Sequence, residues 1–261
     1  MKNKVLQNKY INRILWISIF AVLWQGVAVN EIFDPMIFPT INRIIKSLYA
    51  AIMEGQMIQE TVFSLAMIGK GLVIGFFSAM ILSSLCIVSR TFHGLLESII
   101  AVVHPLPGIA LLPLIILWIG TGKKAVIFII VHSIMWPMLL NILAGFKAVP
   151  KEYKEVGRIF GLNQIGIIRL IMIPRSLPYI LAGLKIGWSR AWRALISAEM
   201  IFGAVGGEGG LGWYIFQKRI YMDTVGIYGG LIMIIVIGVF VEDFIFSMIE
   251  NRTIKKWGMS I

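Results

Sequence analysis

The sequence predicts an all-α integral membrane protein of about six transmembrane helices, and three observations carry that prediction. Of the 261 residues, 58% are hydrophobic and 14% charged, whereas a soluble domain carries about 25% charged residues because its surface faces water. Mean hydropathy is +0.86. Six apolar stretches, at residues 14–29, 61–88, 95–119, 125–146, 177–202 and 225–249, meet or approach the roughly 20 residues that a helix needs to cross the hydrocarbon core.

The first stretch follows Lys2, Lys4, Lys9 and Arg13, as the apolar region of a secretory signal would. It contains Trp16, Trp24 and Gln25 and is succeeded by further spans, which predicts an uncleaved anchor. Lys and Arg in short loops are retained on the cytoplasmic side. With the N-terminus inside, the cytoplasmic segments hold Arg90, Lys147, Lys151, Lys154, Arg158, Arg169, Arg175, Arg252, Lys255 and Lys256. The outer ones hold only Arg43, Lys46, Lys123, Lys124, Lys218 and Arg219. The expected location is therefore the cell (inner) membrane, multi-pass, with both termini cytoplasmic.

Three regions are expected: residues 1–60, one span plus an amphipathic segment; residues 61–249, the core; and residues 250–261, a cytoplasmic tail. In the amphipathic segment Pro39 and Thr40 signal a helix start. Ile41, Ile44, Ile45, Leu48 and Ile52 then recur at helical spacing opposite Asn42, Arg43, Lys46 and Ser47. Such a helix either lies along the outer interface or caps the bundle.

The cytoplasmic loop at residues 147–175 is the most informative stretch. Pro150 opens a helix where its missing N–H costs nothing, and Glu152 and Glu155 suit the positive helix start. Leu162, Asn163 and Gln164 read as a break before a second short helix that runs to Pro174. The expectation is a helical hairpin beneath the membrane.

This loop resembles the cytoplasmic signature of the permease subunits of binding-protein-dependent ABC importers: Glu-Ala-Ala, three residues, Gly, nine residues, Ile-x-Leu-Pro. Here Glu155, Val156 and Gly157 are followed after three residues by Gly161 and after nine more by Ile171, Met172, Ile173 and Pro174. Val156 and Gly157 stand for the alanines and Ile173 for the leucine. Residues 104–120 (HPLPGIALLPLIILWIG), 191–199 (AWRALISAE) and 206–213 (GGEGGLGW) are similar to segments of the nitrate, sulfonate, taurine and bicarbonate branch.

The resemblance covers the chain from about Phe38 onward. It implies a type I importer permease (MetI-like) fold, with Glu155, Val156, Gly157, Arg158, Gly161, Ile171 and Pro174 forming a coupling element that docks on the ATPase. It further implies ABC ATPase subunits that bind ATP and Mg, an extracytoplasmic solute-binding protein and a second copy of this chain. The solute class implied is small and anionic, nitrate- or sulfonate-like. No Gly-x-x-x-x-Gly-Lys-Ser/Thr run occurs, so the chain is expected to hold no nucleotide, cofactor or metal, and not to be an enzyme.

A charge at membrane depth costs about 2.5–3.5 kcal/mol and usually faces a cavity or partner. Lys70, Arg190, Arg193, Glu199 and His132 are the candidates, while Lys185 can snorkel. Arg190 and Arg193 share one helix face. With Lys70 they either give a pathway a positive lining or pair with Glu199, backbone carbonyls or a subunit interface. Glu199 is read as a gate or as a salt-bridge partner, and His132 as a packed side chain or a proton relay. Pro105, Pro107, Pro113 and Pro137 interrupt spans three and four, which suits a pathway that opens alternately to either side. Gly71 with Gly75, and Gly183 with Gly187, form small-residue faces for close helix packing.

Other classes fit less well. An ion-gradient-driven secondary transporter is the main alternative, but no internal repeat with paired broken helices is visible. Membrane hydrolase motifs are absent. Glu242 and Asp243 read as charge balance for Arg252 and Lys255. The net charge of +11 sits between apolar runs, unlike the basic and aromatic surface of a nucleic-acid binder. Cys86, the single cysteine, permits neither an intrachain disulfide nor a thiolate cluster.

Overall fold

Lipid offers no partners for backbone polar groups, so a chain of this composition must satisfy them within helices. The computed structural model describes residues 9–204 and 208–254, and every regular element among them is helical. Lys2 and Lys4 of the basic N-terminus, Gly206 and Gly207 of the glycine run, and the tail from residue 255, with Lys255 and Lys256, lie outside the described residues.

The helices are α1 (Lys9–Val29), α2 (Ile41–Met53), α3 (Gln56–Val88), α4 (Arg90–Val103), α5 (Gly108–Ile119), α6 (Lys123–Ala148), α7 (Lys151–Ile159), α8 (Gln164–Arg175), α9 (Leu177–Phe202), α10 (Leu211–Ile220) and α11 (Thr224–Arg252). Four of them, α1, α3, α6 and α11, are long and apolar enough to cross a membrane, and the number is up to six if each of the bent pairs α4–α5 and α8–α9 is counted as one span. The span expected at residues 95–119 is therefore not one helix. It is broken at residues 104–107, where α4 and α5 meet at 88°.

Of the prolines expected to interrupt spans, those at the break, Pro105 and Pro107, do so. Pro113 sits in the first turn of the α-helical part of α5, where it is tolerated, and Pro137 lies inside an unbroken α6. There the amide of Asn141 donates to the Pro137 carbonyl at 2.8 Å.

At the centre runs α6, with Ile129, Ile130, Ile134, Met138, Leu139 and Ile142 fully buried. It packs most extensively against α9 and α3. Apolar burial drives little association between helices already dissolved in lipid, so close van der Waals packing has to hold them. Glycines supply the closeness. A Cβ at Gly71 or Gly75 of α3 would overlap Ile130 or Ile134, and one at Gly187 of α9 would overlap Ile134 from the other side. Gly183 approaches Asn141 in the same way, its Cβ position 2.8 Å from the Asn141 Cβ. Both expected glycine faces thus bear on the same helix.

Two apolar clusters mark the ends of the bundle. One gathers Cys86, Leu96, Phe146, Val149, Ile167 and Met172 at the end carrying α7 and α8; the other includes Ala51, Met57, Leu211, Tyr214 and Ile215. Helix α2 caps this second end, packed on α11 and α3 with Ile44 and Ala51 buried, while Ile45, Tyr49 and Met53 stay exposed. Asp223 caps α11: burial pushes its carboxyl up, but the Gly226 N–H and the Lys218 ammonium, 3.0 Å away, outweigh that and hold it below the usual range.

Helix α1 is peripheral and almost wholly exposed along its apolar length, as a lipid-facing helix is. Trp24 stacks on Phe38 and meets Tyr228 of α11 edge-on, its indole N–H donating to the Pro39 carbonyl at 3.0 Å. At the other end Arg13 pairs with Asp243. Asp243 therefore pairs with a charge on α1; Lys255, one of the two partners expected for it, lies outside the described residues.

The glycine contacts predict a specific non-additivity. Gly187→Val forces a branched side chain onto Ile134, itself stiff at χ1, and such overpacking costs about 1–3 kcal/mol. A lower melting temperature of the solubilised protein, partly restored by adding Ile134→Ala, is the expected outcome; an unchanged melting temperature for the single variant contradicts the packing.

Candidate functional site

The loop at residues 147–175 forms a braced helical hairpin. Pro150 precedes the first turn of α7, whose start carries Glu152. At its other end Gly161 has φ +80°, which L side chains rarely adopt. The N–H of Gly161 donates to the Arg158 carbonyl at 2.9 Å and that of Leu162 to the Gly157 carbonyl at 3.0 Å, the two bonds of a Schellman termination. Asn163 then caps α8 by accepting from the Gly166 N–H at 2.8 Å.

The two glycines of the signature serve different purposes within the chain. A Cβ at Gly157 would lie 2.6 Å from Cδ1 of Ile171, so Gly157 admits the second arm of its own hairpin; Gly161 has nothing within 4 Å and is there for its backbone conformation. Further bracing comes from the Arg175 guanidinium, 3.8 Å above the Tyr153 ring, and from Lys154 Nζ, 3.4 Å from the Phe146 carbonyl. Residues Ile168–Met172 form a π-helical turn immediately before Ile173 and Pro174. The proline lacks the N–H that would continue the ladder.

What the hairpin presents outward is apolar. Ile159 is 82% and Phe160 81% exposed, and Val156 and Ile165 are exposed beside them, as are Glu155 and Arg158. Exposed apolar side chains gathered at the tip of a rigid element mark a contact surface. Sequence reasoning picked out Glu155, Val156 and Arg158 but missed Ile159 and Phe160. The available signal was two large apolar residues next to the helix-ending glycine of a polar helix.

The second locus is the 88° elbow between α4 and α5. There a cavity of about 310 Å³ is lined by His104, Pro107 and Gly108 from the elbow, by His132, Ser133 and Trp136 from α6, and by Arg190, Arg193 and Ser197 from α9. Nη1 of Arg190 lies 3.3 Å from Nε2 of His104, and because a guanidinium only donates, Nε2 accepts. Neither arginine forms an ion pair among the described residues, which excludes the expected pairing with Glu199 there. His132 is 8% exposed, yet neither ring nitrogen has a hydrogen-bond partner among the described residues, a condition that costs about 1–3 kcal/mol when nothing else satisfies it. The structure thus brings Arg190, Arg193 and Pro107 together, with two histidines beside them. It places Lys70, exposed on α3, and Pro113 outside this cavity.

Glu199 also lies outside it, 1% exposed. Its carboxylate accepts from the Ser64 hydroxyl at 2.8 Å and from the Gly212 N–H at 2.9 Å, and the Leu211 N–H donates to the same Ser64 oxygen at 3.0 Å. This clamp joins α3, α9 and the start of α10, whose positive end suits a carboxylate. Instead of the expected salt bridge, Glu199 makes hydrogen bonds. Nearby, Lys123 at the start of α6 pairs with Glu208 at 2.6 Å and holds that exposed carboxyl below its ordinary range. Glu199→Leu leaves the Gly212 N–H and the Ser64 hydroxyl without their acceptor, about 1–3 kcal/mol for each buried group. A marked fall in melting temperature is expected, with a smaller fall for Glu199→Gln; equal stability of the leucine variant and the native protein would refute the clamp.

Comparison with known proteins places the chain as a whole. Residues 71–255 match the family described as binding-protein-dependent transport system inner membrane component. The chain is 26% identical over 231 residues to the taurine transport system permease protein TauC of Escherichia coli (strain K12), covering 87% of this chain and 82% of that one. It is 29% identical over 157 residues to the nitrate import permease protein NrtB of Synechocystis sp., covering 60% and 56%. Among solved structures, a chain of the MetNI methionine ABC transporter in inward-facing conformations matches with a TM-score of 0.65 at 19% identity, covering 76% of this chain and 96% of that one.

Proposed function

Because the chain belongs to the family of binding-protein-dependent transport system inner membrane components and is a permease subunit of an ABC importer, we propose that its α7–α8 hairpin docks on a separate ATPase chain and drives transport. The observation that carries this reading is the apolar tip, Val156, Ile159, Phe160 and Ile165, held outward on a frame braced by Gly157, Ile171, Tyr153 and Arg175. Such a tip fills a groove in the partner, with Glu155 and Arg158 answering charges at its rim.

Force then has a short route. Helix α8 meets α9 at 71° through the buried Ser176, so displacement of the hairpin turns α9, which carries Arg190 and Arg193. At its other end the hairpin joins α6 directly through Val149 and Pro150. ATP and Mg belong to the ATPase in this reading. Two copies of the chain assemble with two ATPase subunits, and an extracytoplasmic binding protein delivers the solute. The hairpin end, which bears Arg90, Lys147, Lys151, Lys154, Arg158, Arg169, Arg175 and Arg252, faces the cytoplasm, and with it both termini. The solute is a small anion of the nitrate or sulfonate kind; the names of the relatives and the two unpaired guanidiniums support that class.

Gly161→Ile tests the coupling. A β-branched residue at φ +80° strains the turn by about 1–2 kcal/mol and redirects the tip. ATP-driven uptake should fall to background while the subunit remains in the membrane, and Phe160→Asp should reduce copurification of the ATPase at least tenfold. Normal uptake by both variants removes the docking role. Accumulation of solute by vesicles holding this chain alone, without nucleotide, would instead establish the gradient-driven alternative.

A further inference from the structure

The geometry points to an oxyanion-binding site within the permease itself, in the elbow cavity, formed by Arg190, Arg193 and His132 under the Gly108 backbone. The inference rests on the importer reading above and goes beyond it: the membrane subunit, and not the external binding protein alone, recognises the solute.

Four features converge on this cavity. Two guanidiniums one helical turn apart reach it with no carboxylate among its lining residues. Glu242 of α11 lines a second space with Lys185 and the same two arginines, and forms no ion pair with either among the described residues. His104 takes up one donor direction of Arg190 at 3.3 Å, which orients that guanidinium and leaves its remaining N–H groups for a planar or tetrahedral oxyanion. His132, more than nine-tenths buried, lines the cavity with both ring nitrogens lacking a partner among the described residues. A ring nitrogen carrying hydrogen there donates to an anion oxygen.

Size and access fit the same class. A volume of about 310 Å³ admits a compact sulfonate or nitrate with accompanying water. Gly108 carries the elbow backbone over the site, and a Cβ there would fall 2.9 Å from Ser133 Oγ and 3.4 Å from His132 Nδ1. A methyl group at residue 108 therefore intrudes on the polar floor without changing any charge.

The test uses the assembled permease–ATPase complex in nanodiscs, with no binding protein added, and methanesulfonate and nitrate as probes. Melting temperature is followed against anion concentration, with chloride at equal ionic strength as reference. At least one oxyanion should raise it saturably beyond chloride. Arg193→Gln should weaken half-saturation tenfold or more, with Arg193→Lys recovering part of the loss. Gly108→Ala, which keeps every ionisable group, should also weaken it. An oxyanion response no greater than that of chloride overturns the site, as does a native-like titration of both Arg193→Gln and Gly108→Ala. A complex that assembles and hydrolyses ATP yet binds neither probe removes the site and leaves the importer reading standing. Failure of the ATPase to assemble removes that reading as well.

Discussion

The contact on which this protein depends is that of α6 with the glycine faces of α3 and α9. Ile134 lies between Gly75 and Gly187, and Ile130 against Gly71, at separations that no side chain on those helices could share. In lipid this matters more than it would in water, because moving an isoleucine from lipid to a helix surface gains little hydration energy. The attraction left is dispersion, about 0.1–0.2 kcal/mol per atom pair, which is lost quickly if the helices separate. Branched side chains fixed in one rotamer and flat glycine surfaces give many such pairs over a short length.

From that arrangement both functional loci follow. Since α6 and α9 are held side by side, the segment joining the end of one to the start of the other cannot wander, and the hairpin α7–α8 is tied at both ends. Its internal bracing, from Gly157 against Ile171 to Arg175 over Tyr153, makes it a rigid element instead of a loose loop. The elbow of α4 and α5 is laid against the same pair of helices from the side, with Leu112 and Ile115 packed near Ile129 and Ala198. The cavity thus has one wall from α6, one from α9 and a lid from the break. A rotation of α9 relative to α6 changes the hairpin's position and the cavity's shape together.

The opposite end is held together by polar contacts. Glu199, Ser64 and the first N–H groups of α10 form a buried hydrogen-bonded clamp, and Lys123 ties the start of α6 to Glu208. A polar cluster in a low-dielectric interior is costly when incomplete. It therefore fixes the registration of α3, α9 and α10 at the end away from the hairpin.

Composition and periodicity alone determined that the chain crosses the membrane, roughly where its spans lie and that residues 147–175 form a helical hairpin, because hydropathy over 20 residues and capping by Pro150 and Asn163 are local properties. The spacing of Gly157, Gly161 and Pro174 was also legible, as was the helical proximity of Arg190 and Arg193. Tertiary structure alone decided that Gly157 faces its own hairpin while Gly161 serves a backbone turn, and that Asp243 meets Arg13. It also decided that Glu199 is a clamp, and that Arg190 and Arg193 share a cavity with His104 and His132 but not with Lys70. These depend on which helix faces which across a bundle, and that is set by small gaps and matching side chains between segments far apart in sequence. A proline pattern announces that a helix can bend; only its neighbours decide whether it does, and so Pro137 lies in an unbroken helix while Pro105 and Pro107 mark an 88° turn.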